Sequence, residues 1–115
     1  MEKNVQISML CQIYGKLLTY KQYNILYDYY NNDYSLSEIA ENLSITRQAV
    51  RDNLKKGEKK LFEYEEKLGI MKKTMVQEEK ILEVLLELTK IQSKFTDDQI
   101  AKILDNVKKE LNCLV

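Results

Sequence analysis

The stretch Leu36-Ser-Glu-Ile-Ala40-Glu-Asn-Leu-Ser-Ile45-Thr-Arg-Gln-Ala-Val50 decides how this chain is read. Its small and apolar residues fall where two helices crossing at a tight turn must touch. Ala40 allows close approach, and Ile39, Leu43, Ile45 and Val50 fill the shared core. Just upstream, Ser35-Leu-Ser-Glu38 matches a capping box, in which hydroxyl and carboxylate each satisfy the other's orphan backbone amide. A short helix is therefore expected from Leu36 to Leu43. Ser44-Ile45 makes the break, with Ser44 standing where many such turns carry Gly for its positive φ, and Thr46 can cap the next helix. The expectation is a helix-turn-helix whose second helix presents Arg47, Gln48 and Arg51 outward from its first turn.

Outward from that motif the pattern stays helical. Val5, Ile7, Met9, Leu10, Ile13 and Tyr14 precede Gly15, which is expected to end a first helix; Leu17 and Leu18 then lead to a Thr19 N-cap and a second helix over about residues 20–31. Asn31-Asn32-Asp33 is a turn cluster. Downstream, Ala49, Val50, Leu54, Leu61, Tyr64 and Leu68 carry a long fourth helix to Gly69, weakened midway by Gly57. Ile81, Val84, Leu88, Ile91 and Phe95 then repeat at spacings of three and four, and Leu82, Leu85 and Leu86 widen the stripe, so a fifth helix is expected to bury much of its circumference. Phe95-Thr-Asp-Asp-Gln99 starts a last helix, with Thr96 as cap and Gln99 in the reciprocal position, and Ile100, Ile103, Leu104, Val107 and Leu111 form its stripe. With no Pro, three Gly, and neither repeat nor flexible linker, the chain reads as all-α, about six helices in one domain. Residues 1–69 form the helix-turn-helix core and residues 70–115 a helical extension for packing or dimerisation.

Composition removes most catalytic chemistry. The 115 residues contain no His, which excludes Ser-His-Asp and Cys-His pairs and imidazole zinc sites. Cys11 and Cys113, far apart among apolar neighbours, read as reduced core residues rather than a metal cluster or disulfide framework. There is no P-loop and no G-x-G-x-x-G, so GTP hydrolysis by this chain has no support and no cofactor is expected. Asp97-Asp98 suits the first turn of a helix better than a pair of catalytic carboxylates, because adjacent helical side chains diverge. The start of the chain carries no apolar signal region and no long apolar run follows, so a cytoplasmic protein with no membrane insertion is expected.

Charge supplies the positive argument. Eighteen Lys plus Arg balance eighteen Asp plus Glu, so any polyanion site must be local. From Arg47 to Lys60 there are six positive and two negative residues, net +4, while each flank is net −2. In the nucleic-acid reading, Thr46 caps the helix, Arg47, Gln48 and Arg51 approach base edges or a groove, and Lys55, Lys56, Lys59 and Lys60 lie on phosphates. The alternative is a solvated helix face partly offset by Asp52 and Glu58.

Two further features suggest contact surfaces. Among eight tyrosines, Tyr20, Tyr23, Tyr27, Tyr30 and Tyr34 are spaced three, four, three and four apart, so most share one side of the second helix and its exit. They suit a stacking platform for unpaired RNA bases, an aromatic dimer interface, or core rings with wet hydroxyls; Ile25, Leu26 and Tyr29 make this helix apolar on more than one side. The stripe of Ile81, Val84, Leu88, Ile91 and Phe95 is wider than so small a domain can hide, which favours a homodimer over intrachain packing alone.

At the family level, Leu18 to Leu61 resembles region 4 of bacterial sigma factors, through Leu18-Thr-Tyr-Lys-Gln22, Leu36-Ser-Glu-Ile-Ala40 and Thr46-Arg-Gln-Ala-Val-Arg51. Nearly the whole chain is similar to the YlxM family of small bacterial helix-turn-helix proteins, adding Tyr27-Asp-Tyr-Tyr30, Asp33-Tyr-Ser-Leu-Ser-Glu-Ile-Ala40 and Asp52. From Ile70 on, the match is only to a Leu-rich helical tail. The resemblance implies an accessory or regulatory role in the signal recognition particle pathway, through the particle's RNA or its GTPase. Without the preceding sigma regions, a complete sigma factor is not expected. Three functions stay open: binding of the particle's RNA, transcriptional regulation on duplex DNA, and a protein–protein module acting on the GTPase.

Overall fold

The computed structural model describes residues 1–94 and 97–114, and these contain no strand. Among the described residues six α-helices follow one another: α1 (Lys3–Tyr14), α2 (Tyr20–Tyr30), α3 (Leu36–Leu43), α4 (Arg47–Leu68), α5 (Ile70–Lys94) and α6 (Asp98–Asn112). A 3₁₀ turn, Gly15–Leu17, links α1 to α2. The chain divides into two compact units, Met1–Met71 and Lys72–Val115.

The first unit holds the core. Ile7, Leu10 and Tyr14 of α1, Ile25 and Leu26 of α2, Ile39 of α3, and Val50 and Leu61 of α4 are closed off from water. Each contributes roughly 1.5–3 kcal/mol of transfer free energy. α4 is the common partner, packing most extensively on α2 and then on α3 and α1. That packing explains Gly57: a Cβ there would lie 2.7 Å from Cδ1 of Leu26, so the residue that weakens the helix locally permits the α2–α4 approach. Gly15 ends α1 as expected and also has the same packing role. Its φ is −55°, and a Cβ would meet the Tyr23 ring at 2.6 Å.

Capping follows the sequence with shifts of detail. The full reciprocal box forms at Thr19–Gln22, where Thr19 Oγ1 accepts from the Gln22 amide (3.2 Å) and Gln22 Oε1 from the Thr19 amide (3.4 Å). At Ser35 the hydroxyl accepts from the Glu38 amide (3.1 Å), without a reciprocal bond among the described residues. α5 starts at Ile70, well before the expected Leu-rich stripe, directly after Gly69 at φ 62°. Its orphan amides find partners within the first unit. Tyr14 Oη accepts from the Ile70 amide (3.2 Å), and Glu65 Oε1 accepts from both the Met71 amide (2.9 Å) and the Tyr14 hydroxyl (2.7 Å).

The second unit has no buried residue among those described. Ile81, Leu85 and Leu88 of α5 and Ala101, Leu104 and Leu111 of α6 are half-buried. The Gln92 amide donates to the Asp105 carboxylate (2.9 Å), and the Lys108 ammonium donates to the Gln92 carbonyl (2.6 Å). The expectation that the fifth helix buries much of its circumference is not met: Leu82, Val84, Leu86 and Ile91 remain exposed, because one neighbouring helix covers only part of so wide a stripe. Asp97, not Thr96, holds the N-cap position of α6, accepting from the Gln99 amide (2.8 Å); Thr96 and Phe95 lie outside the described residues. Cys11 is buried, which pushes its thiol pKa up, whereas Cys113 at the end of α6 is exposed, against the expectation of a core residue. No helix among the described residues is long and apolar enough to cross a membrane.

Candidate nucleic-acid interface

The turn between α3 and α4 is built by backbone. Ser44 adopts the left-handed conformation (φ 55°, ψ 43°) that Gly commonly supplies. In this pose the Ile45 amide reaches the Ala40 carbonyl (3.0 Å) and the Ser44 amide the Glu41 carbonyl (3.3 Å), a Schellman closure of α3. Thr46 follows at once as N-cap of α4, its hydroxyl accepting from the Ala49 amide (3.0 Å). Ile39, Ala40 and Val50 are buried at the crossing and Ile45 is half-buried. Leu43 is instead 42% exposed, because it sits in the last turn of α3, past the crossing at Ala40.

This arrangement leaves the first turn of α4 in solvent. Arg47, Gln48 and Arg51 are exposed and line one open cleft of about 370 Å³. The turn contains no acidic residue, so the partial positive charge of the helix N-terminus adds to the guanidinium groups. Among the described residues neither arginine makes a salt bridge. Gln48 donates to Asp52 (3.0 Å) across one helical turn.

The remaining cations do not form a single patch. Arg47, Arg51, Lys55 and Lys59, all exposed, stand four residues apart, along one line of the helix roughly 18 Å long. Lys56 is exposed and Lys60 half-buried, and both lie roughly 120–160° round the axis from the middle of that line. Glu58 is directed elsewhere: it accepts from the Tyr30 hydroxyl and pairs with Lys3 at 3.8 Å.

The tyrosines separate into clusters. Tyr23 and Tyr27 pair with ring centroids 6.0 Å apart, and Tyr20, 83% exposed, joins Tyr23 beside Gly15 and Leu18. Tyr30 turns to Glu58 of α4, and burial, then that bond, raise its phenol pKa. Tyr34 lies with Tyr29 and Tyr30 around a small cleft of about 240 Å³ that Asn4 and Asp33 complete. Tyr29, which falls outside the three-and-four spacing, packs edge-on against Tyr30 at 4.9 Å. Its place in the cluster depends on how α1 meets the exit of α2, which the spacing of tyrosines does not encode. On α5, Ile81 and Leu88 are half-buried and Val84 and Ile91 exposed.

An all-helical chain with a three-residue turn joining a short helix to a longer one, whose first turn is basic and exposed, is a helix-turn-helix protein. Residues 1–109 match the model of the UPF0122 family, described as "Putative helix-turn-helix protein, YlxM / p13 like". A UPF0122 protein of Acetivibrio thermocellus is 43% identical over 115 residues, covering 100% of this chain and 98% of that protein. One from Listeria welshimeri is 42% identical over 107 residues (93% and 96%), and one from Clostridium acetobutylicum 37% identical over 112 residues (97% of each). The chain belongs to the UPF0122 family, and membership of a helix-turn-helix family supports a nucleic-acid-binding, regulator-like role.

Proposed function

We propose that this protein is a non-enzymatic regulator that binds nucleic acid through the N-terminal half of α4. The observation that carries the reading is the convergence of Arg47, Gln48 and Arg51 on one open cleft at a helix N-terminus free of acidic residues. Guanidinium forks there suit guanine edges or phosphates, and Lys55 and Lys59 continue the same line onto phosphates. The strand proposed is the signal recognition particle RNA, a choice that rests on the YlxM resemblance alone. Thr46 acts as the cap that aims the first turn, and Lys56 and Lys60 act as longer-range attraction rather than direct contacts. The apolar residues that α5 and α6 leave exposed are assigned to pairing with a second copy, which would present two basic helices to one target.

The test is fluorescence anisotropy of labelled particle RNA and of a mixed-sequence DNA duplex. With the four cations of that line on phosphates, affinity should fall about 10²-fold between 50 and 200 mM salt. Arg47→Ala with Arg51→Ala should abolish most of the binding without changing the melting temperature, since both side chains are exposed. Duplex preference would point to transcriptional regulation. Binding of neither at low salt would leave the particle's GTPase as the partner and the helix-turn-helix as scaffold.

A further inference from the structure

Beside the Arg47 cleft lies a second one of about 380 Å³, to which α2, α3 and α4 each contribute. Its apolar lining includes Leu36, at the start of α3, and Leu54 of α4. Tyr29 and Tyr30 line it with two rings set edge to face. Tyr30 is held by its hydroxyl bond to Glu58, so one ring is fixed while Tyr29 keeps 37% of its surface exposed. Arg51 and Lys55, both exposed, supply its cations, and the one carboxylate, Glu58, is engaged by Tyr30 and Lys3. Apolar surface, aromatic rings and two cations in a cleft of this size fit a planar heteroaromatic ring that carries a phosphate.

We propose that this cleft receives one unpaired nucleotide of the strand bound at α4, with its base against Tyr29 and its phosphate between Arg51 and Lys55. The inference rests on the nucleic-acid reading above and deepens it. Arg51 lines both clefts, so the same backbone that lies along Arg47, Gln48 and Arg51 passes directly to the second opening. A base inside a regular helix has both faces stacked and cannot present one to Tyr29, so the bound strand must carry a bulge, loop or single-stranded end. Tyr29 is then what distinguishes this protein's target from plain duplex.

The experiment uses the full chain and three probes at low salt: a paired RNA duplex, the same duplex with one unpaired 2-aminopurine, and the DNA counterpart of the bulged form. Wild-type protein should bind the bulged RNA roughly tenfold more tightly than the paired duplex and change the 2-aminopurine emission. Tyr29→Ala should bring the bulged RNA to the affinity of the paired one and remove the emission change, while leaving paired-duplex binding intact. Tyr29→Phe, which keeps the ring, should retain the preference, and melting curves should show both variants folded. Comparison of the RNA and DNA bulges identifies the sugar preferred. Equal affinity for paired and bulged probes, or an equal loss on both with Tyr29→Ala, would overturn the proposal while the basic helix stood. Failure of every probe to bind would overturn it together with the nucleic-acid reading.

Discussion

Ser44 and Asp33 are the two non-glycine residues, among those described, that hold a left-handed backbone, and Ser44 is the one at the helix-turn-helix turn. It is held at φ 55°, a conformation that costs a non-glycine residue roughly 1–2 kcal/mol. Ser44→Gly should therefore stabilise the chain by about 1 kcal/mol, less a few tenths for the greater freedom of the unfolded glycine; urea titration reads the difference. An unchanged or lower midpoint would mean that the serine hydroxyl compensates for the backbone. Side chains whose surroundings are local in sequence were legible in advance. Arg47, Gln48 and Arg51 do lie exposed at the start of α4, because Thr46 and the Ile39–Ala40–Val50 core set the rotation of that helix. Cys113 is exposed despite its apolar neighbours, because apolar sequence neighbours do not bury a residue unless another element covers them. Helical spacing reports which side of α2 the Tyr29 ring occupies, not which other helices meet it there.

α4 shows how an apparent defect can be a packing requirement. An alanine in place of Gly57 would gain up to about 1 kcal/mol of helix propensity, yet its Cβ would sit 2.7 Å from a Leu26 side chain that is 1% exposed. Overpacking costs roughly 1–3 kcal/mol, so Gly57→Ala should lower stability by about 1 kcal/mol net, measured by thermal melting. A rise in melting temperature would show that Leu26 can move aside. The start of α5 makes the complementary point. Nothing in Gly69-Ile70-Met71 resembles a cap, because the acceptors for its amides are the Tyr14 hydroxyl and the Glu65 carboxylate. An N-terminus satisfied by a residue 56 positions away leaves no local signature.

For the whole molecule the central fact is the uneven distribution of its interior. Every buried residue among those described lies at or before Met71, so a chain ending there keeps the complete core. Such a fragment should melt cooperatively and sediment as a monomer. The full chain, with Leu82, Leu86, Ile103 and Val107 exposed, should sediment as a dimer whose fraction rises with concentration. Analytical ultracentrifugation of the two side by side decides, and a monomeric full chain at high concentration would remove self-association from the account. Helix number, the bounds of α3, the Thr46 cap and the basic character of α4 were all readable from residue order, since periodicity, capping and charge act over one to four positions. The role of Gly57, the placement of Tyr29 beside Arg51 and Lys55, the partners of the α5 amides and the exposure of the C-terminal leucines depended on the packed chain. Each of these is a relation between helices distant in sequence, set by volume and geometry at their crossings rather than by any local pattern.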